Sequence, residues 1–143
     1  MSDVSVNDGQ QLEQAVVVLS AATQLIDKSL SALKVRTAKD GRVLPARLDE
    51  HQLACFELSV SWSECTAAKF LLAHAKRLTD ESSATNTFTT RLATLFCADA
   101  VTNTLNRLRP HAADFGLTPA DISAIETDAG AAGFLAQQLA AQN

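Results

Sequence analysis

The sequence predicts an all-α protein, an up-down helical bundle of three long helices followed by one or two short C-terminal helices. Apolar residues recur at steps of three and four along three long segments, which is the spacing of one helix face. Ala and Leu, both strong helix formers, are abundant, and β-branched residues never form an alternating run. Gly41 and Pro45 separate the first two segments, the polar stretch 79–83 separates the second from the third, and Pro110 ends the third.

Length and composition indicate one ordinary domain. The chain has 143 residues, 47% of them hydrophobic and 20% charged, so it is able to bury a core without disulfides or a metal. We expect 1–143 to fold as a single helical-bundle domain whose ends, 1–7 and 130–143, are open to fraying. The net charge of −4 argues against general nucleic-acid binding, which needs dense Lys and Arg.

The remaining bulk features predict a cytoplasmic protein that binds no membrane. No apolar run approaches the roughly 20 residues that span a bilayer, and the polar N-terminus lacks a signal pattern. The three cysteines are odd in number and form no Cys-x-x-Cys, which argues against a disulfide framework or a zinc knuckle. Cys55 and Cys97 stand among apolar neighbours and are predicted to be small buried side chains.

The first long helix is predicted to begin near Asn7 or Asp8, both good N-caps, and to end at about Thr37. Segment 38–47 then breaks the pattern and is predicted to be a loop. The apolar stripe of the helix consists of Leu12, Ala15, Val16, Leu19, Ala22, Ile26, Leu30 and Leu33.

The second helix is predicted from Asp49 to the polar stretch 79–83, and the third from about Ala84 to Arg109. The predicted inner face of the second helix is Leu53, Phe56, Val60, Ala67, Phe70, Leu71, His74 and Leu78. The predicted buried side of the third is Phe88, Leu92, Leu95, Phe96, Ala100, Leu105 and Leu108.

A short fourth helix is predicted after Thr118, because Thr118 is a good N-cap, Pro119 suits the first helical position and an acidic residue follows in the first turn. This helix is expected to reach about Thr127. Gly130 and Gly133 are expected to interrupt the chain there, and the tail to 142 either forms a last amphipathic helix or frays.

Three carboxylates on the second helix share one face, because Glu50, Glu57 and Glu64 are spaced by seven. A carboxylate or metal site is one interpretation. Di-iron bundles, however, need Glu-x-x-His pairs on facing helices, and the sequence contains none. A solvated face is therefore favoured.

His74 is the one residue that suggests signalling chemistry. Histidine phosphotransfer modules are small helical bundles with an exposed His followed closely by Lys, and Lys76 follows here. Since His74 lies on the predicted stripe of Phe70 and Leu71, a partly buried core or interface histidine is the favoured interpretation.

Half of the twelve basic residues lie between positions 28 and 47. They are Lys28, Lys34, Arg36, Lys39, Arg42 and Arg47. Such a cluster suits a phosphate group or an acidic partner, although a solvated helix end and loop explain it as well. Trp62, the single tryptophan, lies beside the core stripe and is predicted to face a neighbouring subunit. No phosphate loop, nucleophile elbow or His-Glu-x-x-His motif is present.

Short motifs on the second and third helices resemble the C-terminal helical domain of acyl-CoA dehydrogenases. In that family a Phe-Gly-x-x-Leu-x-x-x-Gln segment leads into a helix with a Leu six residues past the Gln, and Leu48, Gln52 and Leu58 match. Stretches 67–75 and 95–100 look like the family's alanine-rich continuation and its following helix. The resemblance covers roughly residues 12–109.

The resemblance implies a flavoprotein fold that oxidises acyl-CoA thioesters and builds dimers or tetramers through this domain. The positions that contact the flavin depart from the family pattern. Leu44 and Pro45 replace Phe-Gly, and the Arg that would touch the FAD pyrophosphate falls near Gly41, beside Arg42. Thr94 replaces a Lys, segment 110–113 replaces a Gly-Gly turn, and no catalytic Glu matches.

These departures predict a degenerate or split form of the dehydrogenase domain. We expect an accessory or structural subunit that acts in complex assembly, is not catalytic alone and binds no cofactor alone. Its expected partner is a second copy or a flavoprotein chain, with Trp62, Arg36, Lys39 and Arg47 at the contact. The alternatives are half of a split FAD-dependent dehydrogenase, with Arg42 on the flavin phosphate, and a phosphotransfer-like bundle that uses His74.

Overall fold

The computed structural model describes residues 2–81 and 86–140. Helices account for nearly all of the described chain, and the single sheet has two short strands. The elements are α1 (Ser2–Thr37), β1 (Ala38–Lys39), β2 (Arg42–Val43), α2 (Pro45–Asp49), α3 (Gln52–Asp80), α4 (Asn86–Leu108), a 3₁₀ turn (Arg109–His111), α5 (Pro119–Thr127) and α6 (Ala129–Ala140).

The three long helices α1, α3 and α4 pack against one another and form the bundle. Cys65 in α3 contacts Thr104 in α4, and Cys97 in α4 donates to the Ala15 carbonyl in α1. The short helix α6 packs on α1 and α4, and the short helix α5 packs on α1 and α6. This arrangement confirms the predicted all-α bundle of three long and two short helices.

Small side chains fill the centre of the bundle. Eight alanines are almost completely buried: Ala15, Ala22, Ala54, Ala68, Ala75, Ala93, Ala98 and Ala100. Small residues at these positions leave little side-chain volume between α1, α3 and α4, which favours close approach of the helices. The large buried side chains Phe115 and Phe134 lie where the C-terminal segments cover the bundle.

Buried hydroxyl groups accompany these alanines. Ser29, Thr37 and Thr94 each donate to the carbonyl four residues earlier, so their hydroxyls need no partner from a neighbouring helix. Among the residues that the structure describes, the buried side chains Ser61 and Thr90 have no hydrogen-bond partner. A buried hydroxyl without a hydrogen-bond partner lowers the free energy of unfolding. Ser61 and Thr90 are nevertheless small side chains, which lets the helices pack closely.

Segment 38–47 is a hairpin followed by a helical turn, so the predicted loop was wrong. Asp40 and Gly41 both have positive φ, 51° and 76°, as a type I′ turn requires, and strands β1 and β2 pair on either side. Pro45 then occupies the first turn of α2. The Asp-Gly dipeptide is a hairpin signal.

The predicted inner face of α3 was also wrong. The buried residues of α3 are Ala54, Leu58, Ser61, Cys65, Ala68, Leu72 and Ala75. Phe56 and Phe70, predicted to be core, are 62% and 72% exposed. The helix is rotated by about a third of a turn from the predicted orientation, so that a side made mostly of small residues faces α1 and α4.

The stripe of α1 was largely predicted, since six of its eight residues are buried and only Val16 and Leu30 are exposed. On α4 the predicted side was correct for Ala100, Leu105 and Leu108. It was wrong for Phe88 and Leu92, which are exposed.

The helix ends agree with prediction to within a few residues. Helix α1 already begins at Ser2, and α3 begins at Gln52 because α2 occupies the residues before it. The predicted start of α4 at Ala84 lies outside the described residues. Helix α5 has the predicted limits, with a capping box between Thr118 and Asp121.

The break before α6 falls at Asp128 rather than at the two glycines. The backbone of Asp128 is extended, and its carboxylate accepts from the Ala131 amide at 2.8 Å, which starts a new helix. Gly130 and Gly133 are inside α6, and the buried Phe134 holds this helix on the bundle. The tail is therefore helical as far as Ala140; 141–143 are outside the described residues.

Arg107 joins α4 to α3 through two carboxylates. Its Nη1 and Nη2 donate to Glu64 at 2.6 and 2.9 Å, and its Nε lies 3.4 Å from Glu57. The hydrogen bonds to Glu64 raise the pKa of the Arg107 guanidinium. The predicted solvated face was thus wrong for Glu57 and Glu64, which are partly buried; Glu50 is exposed.

We expect Arg107→Gln to lower the free energy of unfolding by about 1–2 kcal/mol, because a partly buried two-pronged ion pair is lost and two carboxylates are left facing each other. The matched control is Arg77→Gln, which removes an exposed pair with Glu81 in α3. That change should cost under about 0.5 kcal/mol. Equal losses in urea titrations of the two variants would contradict the assigned role of Arg107.

Helix α5 is held on α1 by one ion pair. The Lys28 ammonium lies 2.7 Å from the Asp121 carboxylate, which also caps α5 through Thr118. The hydrogen bond from Lys28, followed by those from Thr118, lowers the pKa of Asp121 to about 2. Because the folded pKa lies below the unfolded value, the pair stabilises the native state above about pH 4, and this contribution is lost as pH falls towards 2.

We expect Lys28→Gln to raise the pKa of Asp121 towards the ordinary Asp value, as measured by carboxyl-carbon NMR, because the largest cause of the lowered pKa is removed. Lys34→Gln on the same helix changes an exposed lysine that has no ion pair among the described residues. It should leave the titration of Asp121 unchanged. A pKa that stays near 2 in Lys28→Gln would show that the cap from Thr118 alone sets it.

Candidate functional site

A continuous apolar strip runs along the solvent side of α3. Its residues are spaced by alternating steps of three and four, the spacing of a coiled-coil seam. We call it the outer seam: Leu53, Phe56, Val60, Ser63, Ala67, Phe70 and His74. All except the half-buried Val60 are exposed.

The outer seam makes α3 apolar on two opposite sides. One side packs small residues into the bundle, and the other presents two phenylalanines that are 62% and 72% exposed. Single exposed apolar residues are common on proteins, but an ordered strip along six helical turns is typical of a surface that another helix covers. The outer seam is therefore the candidate functional surface.

His74 lies at the C-terminal end of the outer seam and is exposed, so a core position was wrong, and an interface position stays a prediction. Its Nδ1 is 3.2 Å from Nη2 of Arg77, one turn later on the helix. The position suits a contact with another chain.

Trp62 lies beside the outer seam, on the side of α3 that faces α1. It is half exposed and lines a shallow groove with Leu30, Leu33 and Cys55. The indole therefore lies at the surface, as a residue at a subunit contact would.

A second groove follows α1 and α3 towards the other end of the helices. Its floor is apolar and includes Leu19 and Leu72, and its rim carries two exposed lysines, Lys69 and Lys76. Neither lysine has an ion pair among the described residues. The C-terminal half of α3 is thus both apolar and positively charged at the surface.

Two of the predicted contact arginines have structural partners. Arg36 donates to the Ala113 carbonyl at 2.6 Å, and Arg47 donates to the Ala38 carbonyl at 3.2 Å. These bonds tie the end of α1 to the C-terminal turn and to the hairpin.

Lys39 and Arg42 face each other across the hairpin as direct cross-strand partners. Both are exposed, and within 2–81 and 86–140 neither makes an ion pair. Like charges placed directly opposite on two strands repel, and an anion between them would relieve that repulsion. The predicted phosphate-binding residue Arg42 therefore stands next to a second free cation.

A charged cluster that the sequence reasoning missed surrounds Asp114. Its carboxylate lies 3.6 Å from Arg36, 3.9 Å from His51 and 3.7 Å from His111. Nothing in the sequence spacing indicated it, because its members come from α1, the start of α3 and the turn after α4. Across the described part of the chain, no three His, Cys, Asp or Glu side chains are placed to hold a metal ion.

Two of the three cysteines, Cys65 and Cys97, are buried in the core. Cys65 and Cys97 are buried as free thiols, which confirms the prediction for Cys97, and Cys55 is partly exposed. Burial raises the pKa of all three, that of Cys97 to about 12. A thiol with so high a pKa holds almost no thiolate at neutral pH, so it is a poor nucleophile.

We expect a thiol reagent to label Cys55 first in the native protein, and to label Cys65 and Cys97 only when the bundle opens. Mass mapping of the labelled peptides over time measures the order. Cys55→Ser should remove the fast phase, whereas Cys97→Ser should leave it intact. Labelling of Cys97 at the rate of Cys55 would contradict the packing described here.

No known protein family, no curated protein and no solved structure matches this chain. The assignment of function therefore depends on the surfaces of the molecule itself.

One helix, α1 from Asp8 to Thr37, is long and apolar enough to cross a membrane by length and composition. Core helices of water-soluble proteins pass the same test, and the inner stripe of α1 is buried against α3 and α4. This is weak evidence for a membrane. A cytoplasmic, membrane-free protein stays a prediction.

Proposed function

We propose that this chain is a helical assembly subunit with no catalytic site of its own, and that its outer seam packs against a helix of another chain. The observation that supports this most is the 62% and 72% exposure of Phe56 and Phe70 on one ordered helix face. The resemblance to the acyl-CoA dehydrogenase C-terminal domain points the same way, since that domain builds oligomer interfaces.

The free energy gained by covering the two phenylalanines is comparable to the cost of association, which is consistent with reversible binding. Taking about 200 Å² for a phenylalanine side chain, the two rings expose about 270 Å². At about 25 cal/mol per Å², covering that area is worth about 7 kcal/mol from this chain's side alone. The loss of translational and rotational freedom costs about 4–15 kcal/mol, so the rest of the interface must contribute as well.

A second candidate is half of a split FAD-dependent dehydrogenase. The observation that favours it is the unpaired Lys39–Arg42 couple on the hairpin, which suits a phosphate group supplied with a partner chain. Loss of the other flavin-contacting positions weighs against it, so it ranks below the assembly subunit.

The experiment that tests the proposal is native mass spectrometry of the tagged protein purified from its source cells, with flavin absorbance recorded on the same sample. We expect a complex without flavin. The double variant Phe56→Ser/Phe70→Ser should be recovered mainly as a monomer, because the outer seam is then polar. A complex that contains FAD and is lost in Arg42→Ala would favour the split dehydrogenase.

Phe88→Ser is the matched control, because Phe88 on α4 is as exposed as Phe70 but lies off the outer seam. It should leave the complex intact. A wild-type protein found only as a monomer, or a complex that survives the double variant, would overturn the proposal.

A further inference from the structure

We infer that the helix covering the outer seam is α3 of a second copy of this chain, packed antiparallel about a two-fold axis beside Ser63. This inference rests on the proposed function and names its partner. Two features lead to it: the order of large and small residues along the outer seam, and the separation of free charge between the residues just before α3 and its C-terminal half.

The outer seam is nearly symmetric about its centre. Phe56 and Phe70 lie seven residues on either side of Ser63, and the small residues Ser63 and Ala67 occupy the middle. A two-fold axis beside Ser63 therefore brings each Phe56 next to Phe70 of the second copy, while the small central residues let the two backbones approach. Offset aromatic pairs of this kind are favourable beyond the area they bury.

Charge selects the antiparallel direction. Segment 49–64 contains four acidic residues and no Lys or Arg, and segment 65–79 contains three basic residues and no acid. Two of the acids, Glu57 and Glu64, are paired with Arg107, which leaves Asp49 and Glu50 as the free negative end. At the positive end Arg77 is paired with Glu81, which leaves Lys69 and Lys76 as the free cations.

In an antiparallel pair the positive end of one α3 meets the negative end of the other, whereas a parallel pair sets like charges together. Complementary potentials of this kind fix orientation more than they add affinity. The helix dipoles also oppose in the antiparallel arrangement, which favours it further.

The size of the contact predicts a modest affinity. The outer seam from Leu53 to His74 spans 22 residues, about 32 Å of helix. A single helix pair of that length reaches the low end of specific interfaces, about 1,000–1,200 Å² in total. We therefore expect a reversible dimer with a dissociation constant in the micromolar range.

Sedimentation equilibrium of the purified chain measures that constant without any other protein present. Phe70→Glu should raise it at least about tenfold, since a carboxylate would be buried beside an aromatic ring. Phe88→Glu changes an equally exposed phenylalanine off the outer seam and should leave it unchanged. Circular dichroism checks that both variants keep the helical content of the parent.

Cross-linking tests the direction of packing. In a Cys55→Ala background, Leu53→Cys and His74→Cys lie at opposite ends of the outer seam, and neither change touches the phenylalanines. An antiparallel pair brings position 53 next to position 74 of the second copy and separates the two copies of position 53 by about 32 Å. A short bis-maleimide should then link the mixed pair and neither variant to itself.

Each result decides the inference. Dimerisation that weakens in Phe70→Glu, with cross-links only in the mixture, supports it. Linkage of Leu53→Cys to itself would show a parallel pair and overturn it. A purified chain that stays monomeric to millimolar concentration would also overturn it; if the same chain enters a complex in cells, the proposed assembly function still holds and the partner is another protein.

Discussion

The close fit of small side chains between α3 and its neighbours is the constraint on which the rest of the structure depends. Ala54, Ser61, Cys65, Ala68 and Ala75 line the inner side of α3, and each is at most 4% exposed. Once this side faces inward, Phe56 and Phe70 have no place in the core and lie in solvent. The exposed apolar surface is thus a direct result of how the core is packed.

This explains which parts of the fold the sequence predicts. The three long helices, the stripe of α1 and the limits of α5 follow from spacing and capping residues, because those signals act locally. The inner side of α3 cannot be predicted in this way. A periodicity argument assigns every large apolar residue to the core, whereas this bundle buries mostly small residues of α3. A helix with apolar residues on both sides has no unique inward direction until its neighbours are known.

In the candidate site, too, local sequence patterns predict some features, and contacts between distant elements decide the others. Most residues of the outer seam are recognisable in the sequence, but as core rather than surface. Trp62 is half exposed, and its contact with another subunit stays a prediction. Arg36 and Arg47, predicted at the same contact, bind backbone carbonyls of this chain instead. The Asp114 cluster and the ion pair between Arg107 and Glu64 both depend on contacts between different elements. Residue spacing along one helix does not reveal such contacts.

The exposed rings on α3 also bear on the life of the newly made chain. Until they are covered, they offer chaperones and proteases the kind of apolar segment that marks an unassembled subunit. If the covering helix comes from a second copy, the fraction of covered chains rises with the concentration of the chain itself. Chains made at a low level would then be removed faster than chains made at a level that keeps them paired.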